Sequence, residues 1–255
     1  MTDLVLSEQI GPVRILTLNR PERLNAINPG LITAFRLALE DANADEYTRV
    51  IVLQGAGRAF CTGNDLKDSA ENFDSNYDAK QADAHARELQ EITRQLVLSD
   101  TIVIGAIKGW AVGAGFEWAI NCDFTVWAED ARAFFPEVSW GLFATGGVMT
   151  LLSRMVGIVR AREMLLLGEK YNAQELLELG VAWRVVPEAK VKEATLEAAE
   201  RIASLPATAV RLFKKTFNQA VFLSLEETLE AEIEALVASV MDAETAGRVS
   251  SFDKK

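Results

Sequence analysis

The chain is poor in the residues that most often carry metal, disulfide and nucleophile chemistry. Among its 255 residues there are two cysteines, Cys61 and Cys122, and one histidine, His85. Neither thiol falls in a metal-ligand spacing, so no metal site is expected, and a reduced, cytoplasmic setting is the simplest expectation. His85 lies in the polar stretch AKQADAHARELQE and reads as a solvated helix residue, which sets aside serine–histidine catalysis and a histidine-rich metal centre. No apolar run approaches the roughly eighteen residues of a membrane-spanning helix. The opening MTDLVLSEQ has neither a basic start nor an apolar core, so no secretory leader is expected. Basic residues are also scarce: 26 Lys and Arg face 37 Asp and Glu, a net charge of −11. That balance argues against nucleic acid and anionic membranes as partners, although a local basic cluster can still hold phosphates.

What is present is ordinary globular composition, 49% hydrophobic and 25% charged, at a length suited to one large domain or one domain with a small appendage. VRILTL begins as a strand and is broken at Arg20-Pro21; LITAFRLALEDANAD has helical spacing of its apolar residues; RVIVLQG, TIVIGAIKG and DFTVWAED are short, nearly continuous apolar runs of the kind that form strands buried on both faces. ELQEITRQLVLSD is a helix pattern. The alternation of strands and helices predicts an α/β core. Residues 67–85 are polar and acidic and read as a mobile excursion before that helix. After about residue 187 three helical patterns follow, separated by Pro206 and Ser224, and Ser224 with Glu227 fits a capping box. The expected organisation is therefore a core over 1–187 and a helical layer over 188–255.

Two glycine-containing turns follow buried strands: GAGRAFCTGNDL, residues 55–66, and GWAVGAGFEWA, residues 109–119. Ligands in open α/β sheets bind beyond the carboxyl ends of strands. Glycine admits close backbone approach, and a helix starting near Ala114 would present unpaired N–H groups. One N–H from each turn could grip a single oxygen; the alternative is that both turns serve packing alone. Neither turn is a Walker A loop, because no Gly-Lys-Ser/Thr follows. Glu117 sits about one turn into the second helix, and Glu137 lies in ARAFFPEVSWG at the end of a strand-like run. Each alone is explained by solvation or capping. Two carboxylates in apolar frames, however, titrate apart, so that one holds a proton near neutrality while the other does not.

These segments carry a resemblance. NRPERLNAI, GRAFCTGNDL and above all IKGWAVGAGFEWAINCDFTVWAEDARAFFPEVSWGL are similar to the signatures of the crotonase superfamily, and within it to the enoyl-coenzyme A hydratases, with Glu117 and Glu137 where those enzymes have their two glutamates, twenty residues apart. SRMVGIVRAREMLLLGEKYNAQELLELGVAWRVVP resembles the helical stretch that follows, so the match runs nearly end to end. The resemblance implies the crotonase (ClpP-like) spiral of ββα units with a C-terminal helical trimerisation region, assembled as a homotrimer or as a homohexamer formed from two trimers. It implies an acyl-coenzyme A substrate, with coenzyme A as part of the substrate and no prosthetic group or metal. The backbone N–H groups of Asn64 and Ala114 would form an oxyanion hole, although relatives often carry Ala and Gly there. Glu117 would orient a water and take its proton, and Glu137 would protonate Cα. Coenzyme A would lie along Arg23, Leu24 and Ala26, with the adenine near Thr62, Asn64, Asp65 and Leu66; Arg23 is either a phosphate contact or a solvated surface residue. Lys67, and Lys254 or Lys255 of a neighbouring subunit, are further candidates. The implied reaction is reversible hydration of a 2-enoyl-coenzyme A. Isomerases of the family generally keep one carboxylate, and hydrolases and carbon–carbon lyases share the scaffold; a non-catalytic acyl-coenzyme A binder is the remaining alternative. The chain departs from the pattern in GLFATGGVMTLL, where Ala144 and Thr145 replace the usual proline and glycine of a loop that lines the acyl pocket. Phe135, Trp118, Trp140 and Phe143 are candidates for the pocket wall or for the core.

Overall fold

In a computed structural model, residues 3–67 and 78–251 are described. The apolar runs become the strands of a six-stranded sheet: β1 (Val5–Ile10), β2 (Val13–Leu18), β3 (Val50–Gly55), β4 (Ile102–Ile107), β6 (Phe124–Ala128) and β9 (Arg184–Val186), hydrogen-bonded in that order. β1 and β2 form an antiparallel hairpin; every other pairing in this sheet is parallel. Strand β1 carries no buried run to read in the sequence, because it is an edge strand with exposed residues along most of its length. A second, three-stranded sheet joins β5 (Trp110–Val112), β7 (Arg132–Phe134) and β8 (Tyr171–Asn172).

The chain steps repeatedly from the large sheet to the small one and then into a helix. β4 leads to β5 and helix α3 (Ala114–Ile120), and β6 leads to β7 and a 3-10 turn at Glu137–Trp140. Cys61, after β3, bridges to Ala111 and so marks the same step one turn earlier. These repeats are ββα units of the kind the resemblance implies. The helices α1 (Pro29–Ala44) and α2 (Ala79–Val97) pack against each other. α1 starts at Pro29, one residue after Asn28, whose side chain accepts from the Leu31 N–H. α2 starts within the stretch read as an excursion: Asp78 and Gln81 close a reciprocal capping box, so residues 79–85 are helical. The remainder of that stretch, residues 68–77, lies outside the described residues.

The chain continues through α4 (Val148–Val156), α5 (Ile158–Leu167), α6 (Ala173–Glu178), α7 (Val191–Ala203), α8 (Ala207–Ala220), α9 (Leu225–Val240) and α10 (Ala243–Ser250). α7 opens the C-terminal helical region, but Val191, Thr195, Ala198 and Ala199 are buried on the large sheet, continuous with the core. α8 is pinned by Lys214, a residue only 2% exposed, whose ammonium donates to the carbonyls of Leu96 (2.8 Å) and Thr101 (2.6 Å) and to Asp123 Oδ2 (2.8 Å). Removing either partner of such a buried pair costs about 3–5 kcal/mol, because the other charge is left uncompensated. The capping box at Ser224 and Glu227 is present at the start of α9. α9 and α10 bury none of their residues within the chain.

Candidate active site

The segment NRPERLNAI builds one wall of the site. Leu24 and Asn25 both adopt left-handed backbone, at φ 54° and 56°. Asn25 is fully buried; its Nδ2 is shared among the carbonyls of Ala56, Ala59 and Phe60, and its Oδ1 accepts from the Arg20 N–H. Arg20 is buried too, donating to the Ala26 carbonyl and, at 3.3 Å, to Asp65 Oδ2. Asp65 is thus turned inward to Arg20. The Thr62 hydroxyl donates to the Leu24 carbonyl at 3.3 Å. Arg23 is exposed.

The two glycine turns meet. Cys61 donates to the Trp110 carbonyl (3.0 Å), and Val112 donates back to the Cys61 carbonyl (2.9 Å). Gly63 comes so close that a Cβ there would stand 2.7 Å from the Val112 carbonyl and 3.5 Å from the Ala114 nitrogen. At Asn64 the bridge to Ile27 uses the Gly63 carbonyl and the Asp65 N–H, which turns the Asn64 N–H away from Ile27. Ala114, the first residue of α3, has no carbonyl one turn earlier in the helix. Neither N–H has an intramolecular acceptor among the described residues, and both residues line the same cavity.

That cavity has a volume of about 490 Å³. Its floor holds Glu117 and Glu137 together with Ala114 and Asn64; Ile27, Asn28, Pro29 and Leu66 form one side; Gln81, Ala82, His85, Ala86 and Leu89 of α2 form another; and Leu142, Phe143 and Thr145 close it. Of the residues expected from the sequence, Asn64, Leu66, Ala114, Glu117 and Glu137 are brought together here. Arg23, Leu24, Ala26, Thr62 and Asp65 lie on the adjoining segments and do not line it. Lys67 is exposed next to Leu66, and Lys254 and Lys255 lie outside the described residues.

Glu117 is 3% exposed, in the middle of the wholly buried α3. The N–H of Thr145 donates to its Oε1 (3.1 Å) and the N–H of Gly146 to its Oε2 (2.9 Å). Burial, reinforced by the neighbouring Glu137 and opposed by those two bonds, pushes its pKa up to about 7. Glu137 opens the 3-10 turn after Pro136; burial raises its pKa as well, and its Oε2 is buried with no hydrogen-bond partner among the described residues. Two glycines leave room for these acids. A Cβ on Gly113 would stand 2.4 Å from Glu137 Oε1, and one on Gly146 would stand 2.4 Å from Glu117 Oε2. Gly113 also holds φ 53° with ψ −126°, a conformation essentially restricted to glycine.

For the four aromatics, left open between pocket wall and core, the structure decides. Trp118 and Phe135 are core residues: Trp118 packs on Phe35 with centroids 4.9 Å apart, and Phe135 stacks on Phe116 at 4.7 Å. Trp140 is exposed at the surface and does not line the cavity. Of the four aromatics only Phe143 is a wall residue. His85, read as solvated, is half-buried in the wall of the cavity. The sequence also gave no sign of the two amides that grip Glu117, beyond the unusual composition of the loop that supplies them. Among the described residues no group of three or more His, Cys, Asp or Glu side chains could hold a metal ion, and no helix is long and apolar enough to cross a membrane.

Comparison with known proteins identifies the family. Residues 8–254 match the family model described as enoyl-CoA hydratase/isomerase. A probable enoyl-CoA hydratase of Rhizobium meliloti (strain 1021) is 33% identical over 90% of this chain and 87% of its own length. The 1,2-epoxyphenylacetyl-CoA isomerase of Escherichia coli (strain K12) is 32% identical over 91% of this chain and 88% of its own. The crystal structure of an enoyl-CoA hydratase from Bacillus anthracis superposes with a TM-score of 0.92 at 29% identity, covering 98% of this chain and 96% of that one. The chain therefore belongs to the enoyl-CoA hydratase/isomerase family of the crotonase superfamily.

Proposed function

We propose that this crotonase-type enzyme catalyses the reversible addition of water to a 2-enoyl-coenzyme A, giving the 3-hydroxyacyl-coenzyme A. The observation that carries the reading is the meeting, in one cavity, of two buried carboxylates and two backbone N–H groups without acceptors among the described residues. The thioester carbonyl oxygen takes the N–H groups of Asn64 and Ala114. As water adds to Cβ, charge moves through Cα onto that oxygen, and donors already in place stabilise the enolate without reorganisation. Each such donor contributes about 3 kcal/mol in the transition state. Glu117, fixed by the amides of Thr145 and Gly146, takes a proton from the attacking water. Glu137, whose Oε2 has no partner among the described residues, hands a proton to Cα. No prosthetic group or metal enters these steps, and coenzyme A takes part as the carrier of the acyl group.

Coenzyme A would run from the cavity over the segments that hold Arg23, Leu24, Ala26, Thr62, Asp65 and Leu66, with Arg23 exposed to meet a phosphate. We place the assembly as a homotrimer or a homohexamer: the exposed Phe213, Phe217, Leu225, Ile233 and Leu236 of α8 and α9 form an apolar surface that a lone chain leaves in water. Mass measurement in solution tests this, and a monomer at micromolar concentration would refute it.

A second reading is isomerisation of an enoyl double bond, favoured by the family description, which covers isomerases as well as hydratases. There one base would carry a proton between two carbons through the same enolate, with no solvent oxygen entering the product. Crotonyl-coenzyme A in ¹⁸O-labelled water separates the two. Loss of enone absorbance with label at C3 supports hydration. Full retention of the enone, with a 3-enoyl substrate converted to the 2-enoyl form, supports isomerisation.

A further inference from the structure

Helix α2 presents Gln81, Ala82, His85, Ala86 and Leu89 to the cavity, a stripe at helical spacing. The two alanines are short, so the side chains that reach inward are one leucine and two polar groups. Their order along the helix matters. Near the C-terminal end of the stripe, the Thr93 hydroxyl takes a hydrogen bond from Asn121 of the Glu117-bearing segment (3.0 Å), and the Thr93 methyl lies 3.5 Å from where a Cβ on Gly147 would be, beside the amides that hold Glu117. Counting back, Leu89 is one turn away and buried, His85 is a further turn, and Gln81 a further one. Each step is about 6 Å along the helix axis. Apolar surface thus lies nearest the reacting carbons and polar groups lie farther out.

The polar groups are unspent. Neither ring nitrogen of His85 has a hydrogen-bond partner among the described residues, nor does Gln81 Nε2, while Gln81 Oε1 is occupied by the Asp78 N–H. A saturated alkyl chain lying there would take water from these groups and return no hydrogen bond. Resting on the acyl-coenzyme A reading above, we infer that the acyl group carries an uncharged oxygen beyond the reacting carbons, such as a hydroxyl or a ketone, and that His85 with Gln81 selects it. An uncharged oxygen fits better than a carboxylate, because Glu117 and Glu137 already occupy the floor of the cavity.

The test uses binding, so that it does not depend on turnover. Octanoyl-, 5-hydroxyoctanoyl- and 7-hydroxyoctanoyl-coenzyme A are titrated into the full chain by calorimetry, with coenzyme A alone as reference. One hydroxylated ligand should bind roughly fivefold tighter than octanoyl-coenzyme A, the scale of one net hydrogen bond. His85→Leu should abolish that preference, and His85→Gln, which keeps a donor, should restore most of it. Gln81→Leu, at an exposed position, should reduce it without the risk of a repacked wall. Octanoyl-coenzyme A binding as tightly as both hydroxylated forms overturns the inference. So does an equal loss for all ligands, including coenzyme A, in His85→Leu. If selection is intact but neither crotonyl-coenzyme A nor the 2-enoyl form of the preferred hydroxylated ligand is hydrated, the hydratase reading falls and the inference stands.

Discussion

Glu117 and Glu137 share a cavity and are held in opposite ways. Glu117 sits in a helix, with each oxygen gripped by a backbone N–H from the loop above it. Glu137 sits on a short 3-10 turn and keeps one buried oxygen without a partner among the described residues. The difference separates a fixed acid from one that needs a ligand. Two amides lock the first carboxylate in place, so it can orient a water with little freedom to lose. The second has its hydrogen bond in reserve for whatever enters.

The comparison can be broken most directly at the carboxylates. Glu117→Gln and Glu137→Gln should each lower kcat for crotonyl-coenzyme A hydration by about 10²–10⁴-fold, the usual contribution of a positioned acid or base. Turnover near the wild-type value in either variant would remove that residue from the chemistry.

The next effect is on pH. Glu117 is raised from an ordinary 4.5 to about 7, so the folded state binds its proton more tightly than the unfolded chain does. Its contribution to stability is therefore full below about pH 4.5 and is lost as pH rises through about 7, a fall on the order of 3 kcal/mol. The upward shift at Glu137 acts in the same direction. Urea unfolding at a series of pH values should show this slope in the wild type and a shallower one in Glu117→Gln. Because Glu117 must be ionised to accept a proton, kcat/KM for hydration should rise through a midpoint near pH 7; a flat profile between pH 5 and 8 would contradict its role as base.

Smaller effects should separate the two glycines. Gly113→Ala forces a left-handed backbone on alanine as well as moving Glu137, and should cost about 1–3 kcal/mol in urea unfolding. Gly146→Ala has no such backbone strain and chiefly displaces the Glu117 carboxylate, so it should lose activity with the lesser loss of stability. Finally, the Gln variants themselves should differ in stability by about 1 kcal/mol. An amide at 117 turns an N–H₂ toward an N–H donor, whereas an amide at 137 offends no existing bond. Equal stabilities would mean that the grip of Thr145 and Gly146 on Glu117 is weaker than its geometry.

Much of this was written locally in the chain. The runs at 13–18, 50–55, 102–107 and 124–128 could hardly be anything but buried strands, and Ser224 with Glu227 announces its own helix start. Other features were illegible for definite reasons. β1 is mostly exposed, so it has no hydrophobic signature. The first turns of α2 look like solvent-facing chain because most of them are: residues 78–84 are exposed, and only one side of the helix turns to the cavity. Trp118 and Phe135 have the composition of a ligand pocket, yet both are ordinary core, since an aromatic residue's neighbours do not say which side of a wall it occupies.

By itself, then, the sequence determined the four buried strands, most of the helical segments, the glycine turns and the two glutamates, because period, propensity and chain flexibility act over a few residues. Only the tertiary structure decided which groups meet. The amides of Thr145 and Gly146 reach Glu117 from 28 and 29 residues away, and His85 reaches the cavity from a separate helix. Burial and hydrogen bonding depend on what the fold brings alongside, and those terms raise one carboxylate to neutrality and leave the other waiting for a partner.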